Sequence, residues 1–174
     1  MKKTVVLIML FFSANTFAQE PAKTILDSKH EFKIGAVKLL AGPILETTYE
    51  HIYSKNFTFG TSLLVNLKKN NDYPEDFSVT PFVRFYFQES KEYGAKGFFV
   101  EGFGKYSSGY NTLSFSGDAP KYSAGALGLS LGKKWINTSG FVFELLTGLG
   151  RVLGNSSTAP DVLFRGDLFV GYRF

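Results

Sequence analysis

Val162 to Phe174, VLFRGDLFVGYRF, alternates so regularly that one short stretch separates two surfaces. Val162, Phe164, Leu168, Val170, Tyr172 and Phe174 share one face. Arg165, Asp167 and Arg173 share the other, with the period of two that a β-strand imposes on its side chains. An apolar face set against a charged one predicts a strand between two very different media.

Seven further segments read the same way: Phe32 to Leu40, Ile44 to Tyr53, Phe57 to Lys68, Phe77 to Gln88, Phe98 to Ser107, Lys121 to Trp135 and Phe141 to Arg151. Helix is disfavoured by the density of Gly, Phe, Tyr, Thr and Val. The connections differ in length. Ser54 to Asn56 and Ile136 to Gly140 are tight, and Glu89 to Gly97 is moderately short. Lys69 to Asp76, Ser108 to Pro120 and Val152 to Asp161 are longer and rich in Asn, Asp, Ser, Gly and Pro, with Ala41 to Pro43 a short exception on their side. Short turns at one end and long loops at the other are the asymmetry of outer-membrane barrels, and most segments reach the ~9–11 residues of a tilted membrane strand.

The chemistry of each face decides between a soluble barrel and a membrane one. Phe57, Phe59, Leu63, Val65 and Leu67 oppose Thr58, Gly60, Ser62, Asn66 and Lys68. Phe77, Val79, Pro81, Val83, Phe85 and Phe87 mostly oppose Ser78, Thr80, Arg84, Tyr86 and Gln88. Leu127, Leu129, Leu131 and Trp135 oppose a row of Ala, Gly and Ser, and Phe141, Phe143, Leu145 and Leu149 oppose Glu144, Gly148 and Gly150. The bulky face suits lipid and the small, polar face suits a narrow lumen filled by side chains. Tyr53, Phe57, Phe98, Tyr106, Trp135, Phe141 and Tyr172 are then expected to form interfacial girdles. Leu64, Phe82, Phe103 and Leu146 fall inside against the pattern, and Thr147 outside.

This phase directs Lys38, Glu46, Glu50, Arg84, Glu101, Lys105, Lys134, Glu144, Arg165, Asp167 and Arg173 inward, five acids against six bases. Unpaired charges in so narrow an interior are costly, so a salt-bridged and largely plugged lumen is expected, with Lys38 meeting Asp167 where the first and last strands close the barrel.

At the other end of the sequence, Lys2 and Lys3, the apolar run Val5 to Phe12 and the small and polar residues up to Ala18 read as a secretory signal peptide, residues 1–18. Eight apolar residues fall well short of the ~20 a membrane helix needs. A polar lead-in, residues 19–31, precedes the barrel, residues 32–174. Without the leader the 19 basic residues become 17 against 15 acidic ones, so the full-length pI of 9.2 overstates the charge and gives no argument for nucleic acid. Cysteine is absent, which excludes disulfides, a thiolate nucleophile and cysteine metal sites. A mean hydropathy of zero alongside 19 Phe, 9 Tyr and 18 Gly suits a barrel whose lipid-facing residues are offset by lumen and loop polarity.

Catalytic signatures are sparse. His30 and His51 are the two histidines, and neither stands in a metal-ligand spacing; no metal, cofactor or catalytic residue is expected. A lipid-modifying barrel enzyme would use a His beside an acid and a hydroxyl, and His51 has Glu50 beside it and Ser54 three residues on. Neighbouring strand residues point to opposite faces, which argues against that pair. GALGLSLG, residues 125–132, lacks the Lys and following helix of a phosphate loop. Tyr73 to Asp76 and Tyr110 to Asp118 display aromatics among polar residues, a composition suited to capture of an extracellular ligand.

IGAVKLLAGPILETTYEHIYSKNFTFGTSL, residues 34–63, with its LLAG turn and Glu46, Tyr49 and Glu50, together with FVGYRF, residues 169–174, resembles the small outer-membrane barrels of Bacteroidota grouped as a family of unknown function. In architecture the chain is similar to the eight-stranded OmpA and OmpX barrels. The resemblance implies a location in the outer membrane of a Gram-negative bacterium, in contact with its lipid, and the chain is expected to be a monomer. It also implies assembly by the barrel-insertion machinery, which would read Leu168, Val170, Tyr172 and Phe174. The expectation is therefore an all-β, eight-stranded antiparallel transmembrane up-and-down barrel after a cleaved signal peptide, with a structural or surface-interaction role. The alternatives are a lipid-modifying barrel enzyme and a soluble periplasmic barrel around a small apolar ligand.

Overall fold

β-branched and aromatic residues alternating with small polar ones favour a pleated surface over a helix, and they produce eight strands here. The computed structural model describes residues 28–68, 73–87, 94–110, 121–153 and 159–174. The expected signal peptide and most of the lead-in lie outside the described residues. The strands are β1 (His30–Gly35), β2 (Ile44–Ile52), β3 (Phe57–Asn66), β4 (Glu75–Tyr86), β5 (Gly97–Tyr110), β6 (Lys121–Ile136), β7 (Phe141–Leu153) and β8 (Val162–Arg173). Each pairs antiparallel with its sequence neighbours, and β1 closes on β8 with Glu31 opposite Arg173 and Gly35 opposite Phe169. Closure leaves no free sheet edge.

The first predicted strand needs correction. It is six residues long and gives way to a short helix, α1 (Ala36–Ala41), in place of continuing to Leu40. Ala, Leu and Lys are strong helix formers, and AVKLLA satisfies its backbone locally where β2 no longer pairs with β1. Lys38 reaches the interior from this helix. Strict alternation assigns the inward position on β1 to Glu31 and Lys33 instead, and both are fully buried. The lead-in is correspondingly shorter, since Glu31 already belongs to β1. β4 starts at Glu75, two residues before its expected start, and β5 runs on to Tyr110.

Two tight turns mark one end of the barrel. At the first, Ser54 Oγ accepts the Phe57 amide (3.1 Å). At the second, Asn137 Oδ1 accepts the amides of Ser139 (3.0 Å) and Phe141 (2.9 Å), and Gly140 takes φ +92°. Gly94 and Ala95, just before β5, lie beneath this end. Ala95 is fully buried there, its amide donates to Lys55 O (2.7 Å), and Arg173 donates to the carbonyls of Gly94 (2.9 Å) and Ala95 (3.1 Å). Arg173 thus ties the last strand to the backbone just before β5 at the turn end.

Aromatic rings of β5 inside the barrel lie over their cross-strand glycine partners on β6. A Cβ at Gly132 would meet the Phe99 ring and stand 2.7 Å from Leu145 O, and one at Gly128 would meet Phe103. Leu64, Phe82, Phe103 and Leu146 are buried as the phase required, and Leu163 and Phe169 join them on β8. Because Phe99 is itself buried and fixed, Gly132→Ala is expected to destabilise the barrel by about 1–3 kcal/mol through overpacking. The shift is readable as a lower urea midpoint for unfolding.

Candidate functional site

The lumen draws polar side chains from every strand, with buried charges from all strands but β3, which supplies Thr58 and Ser62. Glu50 on β2 is the hub. Its carboxylate accepts from Lys33 Nζ (2.5 Å), Arg84 Nη1 (2.6 Å), Lys134 Nζ (2.8 Å), Thr58 Oγ1 (2.6 Å) and Tyr86 Oη (3.0 Å). Glu144 lies across from it and accepts from Lys33 (2.6 Å) and Arg84 (2.9 Å). Charge-assisted bonds of this kind are short and strong, and they satisfy groups that would otherwise be costly to bury.

From this hub the pairs run along the barrel with alternating sign. Arg173 binds Glu31 (2.5 Å), Glu31 binds Lys134 (2.7 Å), Lys134 binds Glu50, and Glu50 binds Arg84. Arg84 binds Glu101 (2.7 Å), Glu101 binds Arg165 (2.6 Å), Arg165 reaches Glu46 (3.3 Å), and Glu46 pairs with Lys38 beneath α1. The guanidinium of Arg84 also lies over the rings of Phe82 and Phe99, 4.3 and 4.5 Å from their centroids. These rings add a cation–π contact to its three carboxylate partners, Glu50, Glu101 and Glu144. Lys105 pairs with Glu75 (2.5 Å) near the loop end.

All eleven inward charges expected from the sequence line this interior, with one pairing different. Lys38 does not bind Asp167 through its side chain, since its ammonium goes to Glu46. Asp167 accepts the backbone amides of Val37 (2.9 Å), Lys38 (3.4 Å) and Leu168 (2.7 Å), so it caps the start of α1. Gly35 makes room for it, as a Cβ there would collide with the Asp167 carboxylate. Three lumen charges escaped the sequence reading: Glu31, placed in the lead-in; Lys33, on a strand whose phase was taken from Lys38; and Glu75, placed in a loop. With them the described lumen holds seven acids and seven bases, a neutral set.

Every strand contributes a buried polar side chain to this network. Lys33, Glu50, Thr58, Arg84, Glu101, Lys134, Glu144 and Arg173, one from each strand, have at most 3% of their surface exposed. A passage wide enough for water would leave part of this wall uncovered. The lumen is therefore filled by its own side chains along the length this network covers.

Elsewhere the sequence candidates separate. Glu50 points into the lumen and His51 outward, and Ser54 is used in its turn, so the three form no catalytic arrangement. Of the two aromatic loop stretches, Tyr73 and Pro74 are half-buried and Glu75 faces the lumen; this corrects their reading as a displayed loop. Burial, with Glu75 and Glu46 nearby, pushes the Tyr73 phenol up and keeps it protonated. Tyr110 ends β5, and residues 111–118 lie outside the described residues. Leu168, Val170, Tyr172 and Phe174 all face outward.

The outer surface is the lumen's chemical opposite. Phe32, Phe59, Leu63, Val83, Phe85, Leu129, Leu131, Leu145, Phe164 and Val170 stand exposed around the circumference. Toward the turn end Trp135 packs on Phe143, Phe141 on Tyr172, and Tyr53 on Phe57. A scan of protein-family models and searches of curated proteins and of solved structures find no match to this chain.

Proposed function

We propose that the chain is an integral outer-membrane barrel of a Gram-negative bacterium, exported by residues 1–18 and non-catalytic. In this reading its lumen is a structural plug and its role is carried by the outer surface and the loop-end connections. One observation carries the proposal: a closed barrel exposes large apolar side chains around its whole circumference while burying fourteen paired or capped charges inside. Water would favour the reverse arrangement, and hydrocarbon favours this one. β2 to β8 run 9 to 16 residues, at or near the ~9–11 of a tilted spanning strand, and α1 extends the short β1 with apolar Val37, Leu39 and Leu40 exposed.

The shut lumen argues against a pore. It also argues against a soluble barrel holding an apolar ligand, because the residues that would line such a cavity stand on the outside. What stays available for interaction is the apolar belt, for lipid, and the connections above β4 to β8, for an extracellular partner. β8, with Leu168, Val170, Tyr172 and Phe174 outward, is the strand on which the insertion machinery would act.

Unboiled and boiled samples of the outer-membrane fraction should migrate differently on a denaturing gel, because a closed hydrogen-bond ladder resists detergent until heated. Recovery from the soluble periplasm with no heat shift would overturn the proposal.

A further inference from the structure

His30 on β1 and His51 on β2 are 21 residues apart in sequence and directly opposite each other in the barrel wall. The Ile52 amide donates to Lys29 O (2.8 Å) one step beyond them, which makes His30 and His51 a non-hydrogen-bonded pair, the closer of the two antiparallel spacings. Both side chains face outward and are half-exposed, and their ring centroids are 5.0 Å apart at an interplanar angle of 53°.

That spacing falls within the range two imidazoles on one ion adopt. With metal–nitrogen bonds of ~2.0–2.1 Å and a ring centre ~1.1 Å beyond its nitrogen, two imidazoles on one ion at an angle of ~90–110° have centroids ~4.5–5.2 Å apart. His30 is also already oriented. Its Nδ1 is hydrogen-bonded to Tyr49 Oη (2.7 Å), which leaves Nε2 for a ligand, in the way an outer-shell partner fixes a metal-binding histidine. Phe174 stacks on His30 and Phe59 packs on His51, so apolar rings flank the pair on both sides.

We propose that His30 and His51 form a two-imidazole site for a divalent transition metal on the outer wall near the turn end, with Tyr49 as its positioning residue. Imidazole pairs suit Cu²⁺, Ni²⁺ and Zn²⁺, and the general affinity order places Cu²⁺ first. Among the described residues no three His, Cys, Asp or Glu gather into a metal cluster. The remaining coordination positions therefore fall to water or to oxygens of whatever borders the wall. The site does not depend on the membrane reading, since it rests on the register of β1 and β2.

The test is titration of the folded, untagged protein in detergent with Cu²⁺ at pH 7.5, read by calorimetry and by electron paramagnetic resonance. One ion per chain with hyperfine coupling from two nitrogens is expected. His30→Ala and His51→Ala should each weaken binding by more than Tyr49→Phe, whose loss should fall in or below the ~10–100-fold range typical of an outer-shell partner. Hyperfine coupling from fewer than two nitrogens in the wild-type protein, or a His51→Ala variant within twofold of wild type, would overturn the site and leave the pair as part of the aromatic girdle. The spectrum of the wild-type protein decides the matter even if a variant folds poorly.

Discussion

Glu50→Leu is expected to lower the stability of the barrel by about 3–5 kcal/mol, the range for breaking a buried ion pair by removing one partner. The geometry places it at the upper end. Lys33, Arg84 and Lys134 all direct a charged donor at this one carboxylate, and Thr58 and Tyr86 add two hydroxyls. Without it the three cations keep Glu144, Glu31 and Glu101 among them, and a lumen balanced at seven against seven carries an excess positive charge where no water reaches. Glu50→Gln should lose nearly as much, because it keeps the shape and the two hydroxyl contacts but not the charge. Glu50→Leu combined with Lys33→Leu restores neutrality and should recover part of the loss, which makes the coupling measurable as a double-mutant cycle. The measurement is the urea midpoint of the heat-shifted gel form for each variant. A midpoint equal to wild type in Glu50→Leu would mean that water solvates those cations, and the lumen would then not be shut.

The outward faces of β3, β4, β6, β7 and β8 were legible because period two is purely local, and a residue two positions on repeats its environment whatever the rest of the chain does. Even the misfits Leu64, Phe82, Phe103 and Leu146 followed from phase alone. Phase is lost wherever the backbone leaves the strand. α1 turns Lys38 inward from a position that alternation from Lys33 would place outside, and nothing in the pattern of apolar residues marks where β1 stops. Glu75 was missed because Pro74 and Asp76 give its surroundings the composition of a turn. Partner choice is a different kind of loss. Lys38 was expected at Asp167 because the two are near in height, yet the carboxylate is taken by backbone amides that exist only once α1 has formed. The pairing of His30 with His51 was equally hidden. It depends on the register between two strands, and no spacing motif encodes a register set by the whole sheet.

Leu129→Arg should destabilise the folded protein in lipid vesicles by about 2–4 kcal/mol, the range for arginine on the lipid face at the bilayer midplane. Leu129 lies near the middle of β6, faces outward with 68% of its surface exposed, and sits opposite Leu149 on β7 and Gly102 on β5, so the new side chain would touch no lumen charge. The expected penalty is thus one of solvation alone. Its depth dependence is the discriminating feature. Phe141→Arg, at the turn end beside Tyr172, should cost only about 0–1 kcal/mol because a guanidinium there reaches the headgroups. A soluble barrel would show the opposite order. Arginine at Leu129 would then replace an exposed apolar group with a hydrated one and leave stability unchanged or improved, whereas loss of the Phe141 ring contact would be the larger effect. The ratio of the two losses, from urea titrations of folding into vesicles, therefore reports which medium surrounds the belt, independently of where the protein fractionates.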